Sequence, residues 1–423
     1  MRSTSFLNID LTALDRNITA IRGLISPHCD LCAVVKADGY GLGAPRIARQ
    51  LAASGASMLA VYSIGQAEAI SAAGVTTPQL ILMPVREIET GGECHRLLLA
   101  GRLHLVVHGQ AHALELAAIA EQLGGGPIPV HLEVDTGMSR GGATVDEAGR
   151  TLACIADERR LRLAGVFTHF SDSRRDAVRT HDQMDLFERL LCDHALHIPA
   201  DAIVHVANSH AVFRDPRFHR TMIRTGLAWT GLAHLSDGAG EPSDSGASDG
   251  LSLESIVRWE SSIVHTKEVD RDVAVGYGSL WKAGRPSRLG VVPIGYFDGY
   301  PVAAHTRDDR WIRVMSETSA GTRSWEVPVV GAVNMDQVVV DLTDVPPSLA
   351  YGEGFIGMTA EVYGSRPSAR NYLPRVAGAI GAHAYELLCR LNPRIPRRYV
   401  GEASGVVGAD VRITRQSPGI MTG

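Results

Sequence analysis

Eight short apolar runs, at 31–35, 58–62, 79–83, 103–107, 130–134, 163–168, 203–207 and 223–229, recur through the first half of the chain and constrain its fold more than any other feature. Rich in branched side chains and bounded by glycine, proline or polar residues, they read as buried strands. Segments of helical character lie between most of them, at 44–54, 65–73, 110–123, 146–156 and 176–196, and an amphipathic stretch at 11–24 precedes the first. Eight strands alternating with helices over about 200 to 250 residues predict an α/β fold of the (β/α)8 TIM-barrel type. The alternative, a doubly wound open sheet, needs fewer strands or a visible topological switch.

The pattern changes after residue 236. The stretch 237–250 is nearly devoid of apolar side chains and reads as a linker or mobile loop. Beyond it come short β-like runs at 262–269, 289–294, 311–315, 327–330 and 337–341, which predict a β-rich C-terminal domain. The division is then 1–240 for the barrel, 241–400 for the β-rich domain and 401–423 for a loosely held tail. With 41 Lys plus Arg against 46 Asp plus Glu and no long basic run, nucleic acid is not an expected partner. The amino terminus lacks the apolar core of a signal peptide and no run is long enough to span a bilayer, so a cytoplasmic location is expected. Six cysteines scattered over 423 residues read as free thiols, the Cys29–Cys32 C-x-x-C spacing included, and the 17 histidines show no H-E-x-x-H grouping. No catalytic metal is expected.

Candidate chemistry gathers just after the strands, where a barrel places its active site. Lys36 stands where the run 31–35 gives way to the Gly-rich turn 37–43. Desolvation there favours the neutral amine, which can attack an aldehyde to form a Schiff base, the way enzymes hold pyridoxal phosphate. A snorkelling surface lysine is the alternative. Later strand ends deliver Glu133, Asp135 and Arg140, then His169, then Asn208 and Ser209, then Arg224 beside Gly226. Singly, each has a structural explanation as an ion pair, a core histidine or a helix cap. Jointly, they place a lysine, two arginines, a histidine and phosphate-compatible Ser and Gly positions on one face.

Ala33-Val34-Val35-Lys36-Ala37-Asp38-Gly39-Tyr40-Gly41 resembles the cofactor-attachment motif of the alanine racemases. The likeness continues through Asp135-Thr136-Gly137-Met138, Thr168-His169-Phe170, Ala207-Asn208-Ser209, Arg224-Thr225-Gly226, Gly276-Tyr277-Gly278, Gly295-Tyr296-Phe297-Asp298-Gly299-Tyr300 and Asn334-Met335-Asp336-Gln337, in order and spacing, from residue 5 to about 400. The resemblance implies pyridoxal 5'-phosphate as cofactor, Lys36 as its Schiff-base lysine and one catalytic base, and Tyr277 as the other. It implies Arg224 at the pyridine nitrogen with His169 nearby, and Tyr40, Asn208, Ser209, Gly226 and Leu227 on the cofactor, chiefly its phosphate. Arg140 is implied at the cofactor oxygen and substrate carboxylate, Met335 at that carboxylate and Tyr296 at the entrance. Tyr277, Tyr296 and Met335 come from the partner subunit in this family, so a homodimer is implied.

Two positions depart from the family pattern. Glu133 replaces an often carbamylated lysine and is expected to hold Arg140 in a bidentate pair. Pro393 stands where a tyrosine often precedes the closing Arg394-Ile395-Pro396-Arg397, which is expected to remove a phosphate-contacting hydroxyl. The implied activity is interconversion of L- and D-alanine by a two-base mechanism, which in a bacterium would supply wall precursors. The alternatives are a racemase of broader or serine preference, a non-catalytic pyridoxal phosphate-binding barrel, and a decarboxylase of the same barrel type.

Overall fold

The computed structural model describes residues 4–233, 253–302, 310–318, 321–346 and 354–401. The stretch 237–250 and the tail beyond 401 lie outside the described residues. Eight parallel strands, Asp30–Val34, Met58–Val61, Gln79–Ile81, Leu103–Val107, Ile128–Asp135, Leu161–Phe167, Ile203–His205 and Met222–Thr225, pair in sequence order, and the last returns to pair with the first. At the remaining seam the Thr221 N–H donates to the Val204 carbonyl at 3.1 Å and the Arg224 N–H to that of Ala207 at 2.9 Å. The result is the expected barrel, with each of the eight predicted runs supplying a strand.

Local chemistry accounts for the outer helices. Helix Ala44–Ala53 buries Ala44, Ile47, Ala48 and Leu51, the spacing that keeps one stripe on the strands. Side chains cap the helix starts: Asp10 accepts from the Ala13 N–H, Thr144 from that of Glu147 and Asp176 from that of Arg179. Alternation along the strands divides the barrel. Leu103, Leu105, Val130, Leu132 and Ile223 pack outward among the helices, whereas Cys32, Met58, Ala60, Leu80, Val106, Phe167 and Met222 form a separate inner cluster. His104, His131, His205 and Arg224, at the alternate positions, are buried with them.

The second domain is built on a nine-stranded, largely antiparallel sheet. The run read as one strand at 262–269 is two, Val257–Ser262 and His265–Val269. Between them the chain changes partners, the Ile263 N–H donating to Met358 and the Val264 N–H to Val291. Strand Phe6–Asp10, which the division at 240 groups with the barrel, pairs here instead, antiparallel to Val257–Ser262 and parallel to Arg397–Val400. Both ends of the described chain therefore meet in this sheet, with Trp259 and Tyr363 buried beneath. Among the described residues no helix is long and apolar enough to cross a membrane.

Candidate active site

Lys36 follows strand Asp30–Val34 and opens a left-handed turn. Ala37, Asp38, Gly39 and Tyr40 take φ values of 53°, 55°, 61° and 59°. For a non-glycine residue this costs roughly 1–2 kcal/mol, so the turn must be braced. The Asp38 carboxylate accepts from the Ala44 N–H at 2.7 Å, and the Gly43 N–H donates to the Asp38 carbonyl at 2.9 Å. From the far end of the chain, Arg397 donates through Nε and Nη2 to the Gly41 carbonyl at 3.0 and 2.9 Å, and the Tyr399 hydroxyl to Leu42 at 2.7 Å. A Cβ on Gly41 would lie 2.8 Å from the Leu388 carbonyl oxygen, so only glycine lets these segments meet. The turn buries Tyr40 and leaves Lys36 half-buried, where desolvation and then Arg140 lower the basicity of its amine.

Tyr40 leads to a cluster of donors. Its ring lies 4.7 Å from that of Tyr385 and 5.6 Å from that of Trp229. The Tyr385 hydroxyl lies close to those of Tyr40 and Ser209 and to the Leu227 backbone. Ser209 Oγ accepts from the Gly226 N–H at 2.9 Å and the Ala228 N–H at 3.1 Å. A Cβ on Gly226 would lie 2.3 Å from the Tyr40 hydroxyl and 2.8 Å from that of Tyr385. Asn208 has another occupation: its Oδ1 accepts from the His210 and Ala211 N–H groups and from Ser173 Oγ, capping helix Ser209–Arg214. That cap leaves Ser209 to face the cluster. Pro393 does not deprive the cluster of a hydroxyl, since Tyr385, eight positions earlier, already supplies one. Sequence reasoning missed Tyr385; the motifs carry no signal for it, because its partners are contributed by three distant segments.

Arg224 is fully enclosed, and its guanidinium is held by several acceptors, the Val206 carbonyl at 3.4 Å from Nη2 among them. Nη1 donates to the His205 carbonyl at 2.6 Å and to His205 Nδ1 at 2.9 Å. Nη2 donates to the Thr168 carbonyl at 2.9 Å and to His169 Nδ1 at 3.3 Å. The Nε–H finds no acceptor among the described residues. Burial lowers the guanidinium pKa to about 10, so it remains a cation at neutral pH. Burial, with Arg224, Arg140 and Lys36 close by, holds His169 down to about 3 and hence neutral. Arg140 reaches the same region from a loop wound on Asp135, whose Oδ1 accepts from the Gly137, Met138 and Ser139 N–H groups at 2.9, 2.9 and 3.0 Å. Glu133 does not form the expected bidentate pair with Arg140. Its Oε2 lies 3.2 Å from His108 Nδ1, inside the barrel mouth, because alternation along Ile128–Asp135 turns it toward the neighbouring strand end.

Tyr277, Tyr296 and Met335 lie on loops of the second domain rather than at the barrel's strand ends. Tyr277 sits in the tight turn after Ala274–Val275, between Gly276 and Gly278 with φ of 75° and 68°, and is 77% exposed. Tyr296 and Met335 are 44% and 53% exposed on two interlocked loops, where the Phe297 N–H donates to the Met335 carbonyl at 3.0 Å. The Met335 N–H has no acceptor among the described residues. Arg394 holds both loops, donating to Asp298 at 2.9 Å and to Asp336 at 3.1 Å. Neither tyrosine hydroxyl has a protein partner among the described residues.

The donor set suits pyridoxal phosphate: an amine of lowered basicity, converging hydroxyl and N–H donors where a Cβ would intrude, and an unused guanidinium N–H. Models of the N-terminal and C-terminal domains of alanine racemases match residues 9–234 and 256–399. An alanine racemase of Desulfovibrio desulfuricans is 31% identical over 93% of this chain and 97% of its own length. The crystal structure of alanine racemase from D-cycloserine-producing Streptomyces lavendulae superposes with a TM-score of 0.79 at 27% identity, covering 95% of this chain and 98% of that one. That of Bartonella henselae, with covalently bound pyridoxal phosphate, matches in fold with a TM-score of 0.75 at 23% identity, covering 94% and 100%. Matched across both domains and along nearly its whole described length, this chain belongs to the alanine racemase family, isomerases that interconvert L- and D-alanine.

Proposed function

We propose that the chain interconverts L- and D-alanine with pyridoxal phosphate held on Lys36, using Lys36 and Tyr277 as the two proton-transfer groups. The observation that carries this reading is the gathering of three unlike donors at the same end of the barrel strands: the half-buried Lys36 amine, the Tyr40–Ser209–Tyr385 cluster over Gly226 and Leu227, and the unshared Arg224 Nε–H. Bound there, the cofactor supplies an electron sink conjugated to the substrate α-carbon. The hydroxyls of Tyr40, Ser209 and Tyr385 would hold its phosphate, with the Leu227 N–H beside them and the Gly226 N–H orienting Ser209. Asn208 contributes by capping the helix that presents Ser209. Arg224 offers the ring nitrogen a hydrogen bond but no proton, since a guanidinium this basic stays charged. By offering no proton, Arg224 would favour prompt return of the α-proton.

Lys36 Nζ takes or returns that proton on one side, its lowered basicity favouring the neutral amine. Tyr277 does so on the other. Its exposure, shared by Tyr296 and Met335, fits delivery into the site of a second copy, so the working unit is a homodimer with composite sites. Arg140 and the Met335 N–H then hold the substrate carboxylate, and Tyr296 stands at the entrance. In a bacterial cytoplasm the D-alanine formed would feed wall synthesis. The test is direct. Protein incubated with pyridoxal phosphate and reduced with borohydride should carry the adduct on Lys36, and the unreduced protein should racemise either enantiomer of alanine. An adduct on Lys267 or Lys282, or cofactor binding without racemisation, would sink the reading.

A further inference from the structure

The barrel interior holds a line of hydrogen bonds that the reaction described above does not use. His104 Nδ1 lies 2.9 Å from His131 Nε2, and His131 Nδ1 lies 2.9 Å from His205 Nε2. His205 Nδ1 in turn lies 2.9 Å from Arg224 Nη1. These imidazoles come from three strands and run from the enclosed arginine to His104, the ring farthest along the line from it, where Arg162 adds its charge. A barrel interior is ordinarily filled by branched apolar side chains. Here one strand makes room for a polar ring instead: a Cβ on Gly165 would lie 2.4 Å from His131 Nδ1 and 2.7 Å from its Cε1.

We infer that His205, His131 and His104 are positioning residues for Arg224, a chain of neutral imidazoles locked in one tautomer that aims the guanidinium's free Nε–H at the cofactor ring. Arginine has no acceptor, so His205 Nδ1 must present a lone pair and its proton must sit on Nε2. That N–H needs an acceptor in a buried place, which obliges His131 Nδ1 to be unprotonated, and the same logic passes to His104. One donor that cannot accept therefore sets three tautomers. Conversely, any break in the line leaves a buried N–H without a partner and frees His205 to turn its other nitrogen toward Arg224. All three rings are held below the ordinary imidazole range, burial being the main cause, as neutral links require. The inference rests on the reading that Arg224 serves the cofactor ring.

Tautomers can be read from long-range proton–nitrogen correlations of histidine-labelled protein, first without cofactor. The expected result is an Nε2-protonated ring at all three positions, and an Nδ1-protonated or doubly protonated ring at any of them would overturn the proposal. His104→Asn and His104→Leu then separate positioning from filling. The asparagine oxygen stands where Nδ1 stands and keeps the acceptor, so cofactor absorbance and kcat should stay near those of the unaltered protein. Leucine fills the space but removes the acceptor, and should shift the cofactor's visible band and lower kcat roughly 10- to 100-fold, the loss typical of an outer hydrogen-bond partner, with KM little changed. A leucine variant that matches or exceeds the asparagine one would overturn the proposal. Failure of the functional reading shows separately, as unaltered protein that binds no pyridoxal phosphate; the tautomers decide the present question in either case.

Discussion

Tyr385 and Glu133 show how much one residue's meaning depends on what the fold brings to it. The hydroxyl of Tyr385 joins Tyr40, Ser209 and the Leu227 backbone, yet it lies on helix Ala384–Arg390, far along the chain from all of them. Tyr385→Phe should weaken pyridoxal phosphate binding by roughly 10- to 100-fold, the worth of a hydrogen bond to a charged acceptor, while saturating cofactor restores most of kcat. Titration of apoprotein with cofactor checks this; an unchanged affinity would remove Tyr385 from the phosphate set. Glu133 carries the opposite lesson. Its nearest basic neighbour is His108, whose Nδ1 lies 3.2 Å away and accepts from the Gly142 N–H at 3.1 Å, and burial raises the pKa of its carboxyl. Since it does not orient Arg140, Glu133→Gln should lower kcat/KM by less than about 10-fold, one neutral hydrogen bond's worth, and a larger loss would restore the Arg140 pairing. Lys36, Arg140, His169 and Ser209 could be read from the sequence because each follows its own strand, and Arg224 because it stands next to the end of one. Tyr385 was not, because nothing in sequence ties a helix surface to three strand ends.

Among elements, the left-handed turn at 37–40 and the closing segment 391–399 are two halves of one device. Arg397 is saturated by backbone carbonyls, giving two bonds to Gly41 and others to Leu391, Asn392 and Ile395. Arg397→Ala would leave these buried acceptors poorly matched, and should cost about 3 kcal/mol or more in stability and hasten cofactor loss from Lys36. Ala37→Gly should act in the other sense. Ala37 is exposed with φ of 53°, so glycine removes a strain of roughly 1 kcal/mol, and denaturant melts should find the variant more stable unless the turn is absent in solution. The eight barrel strands were legible because each is a local apolar run. Phe6–Asp10, Thr359–Tyr363 and Arg397–Val400 escaped notice for a physical reason. Polar residues interrupt them, and their pairing is remote: Leu7 meets Arg397 across nearly the whole chain.

On the scale of the whole molecule, two properties follow from where charge and exposure lie. If Tyr277 serves the site of a second copy, Lys36→Ala and Tyr277→Phe subunits, each inactive alone, should complement when mixed and refolded. A hybrid dimer carries one doubly altered site and one intact site, so an equal mixture should regain about a quarter of full activity by simple statistics of a two-fold assembly. No recovery would place both groups in one chain's site. The second property is sensitivity to acid. His104, His108, His131, His169 and His205 are all held below the ordinary imidazole range, first of all by burial, to about 4 for His104 and His108 and about 3 for His169. In the unfolded chain they return to about 6.5. Below that value the unfolded state binds more protons than the folded one, so stability falls as the pH falls. The contribution of these rings is whole above about pH 6.5 and is lost progressively as pH drops toward 4 and 3, starting well above the range where carboxylates titrate. At pH 5.5 the loss should be roughly 1 kcal/mol for each ring, one unit below its unfolded pKa. Urea melts at pH 7.5, 6.5 and 5.5 should therefore show a stable upper plateau and then a decline of several kcal/mol, and His104→Asn should make that decline shallower by about one ring's share. A flat profile down to pH 5.5 would mean that these histidines are not neutral and enclosed as the fold has them.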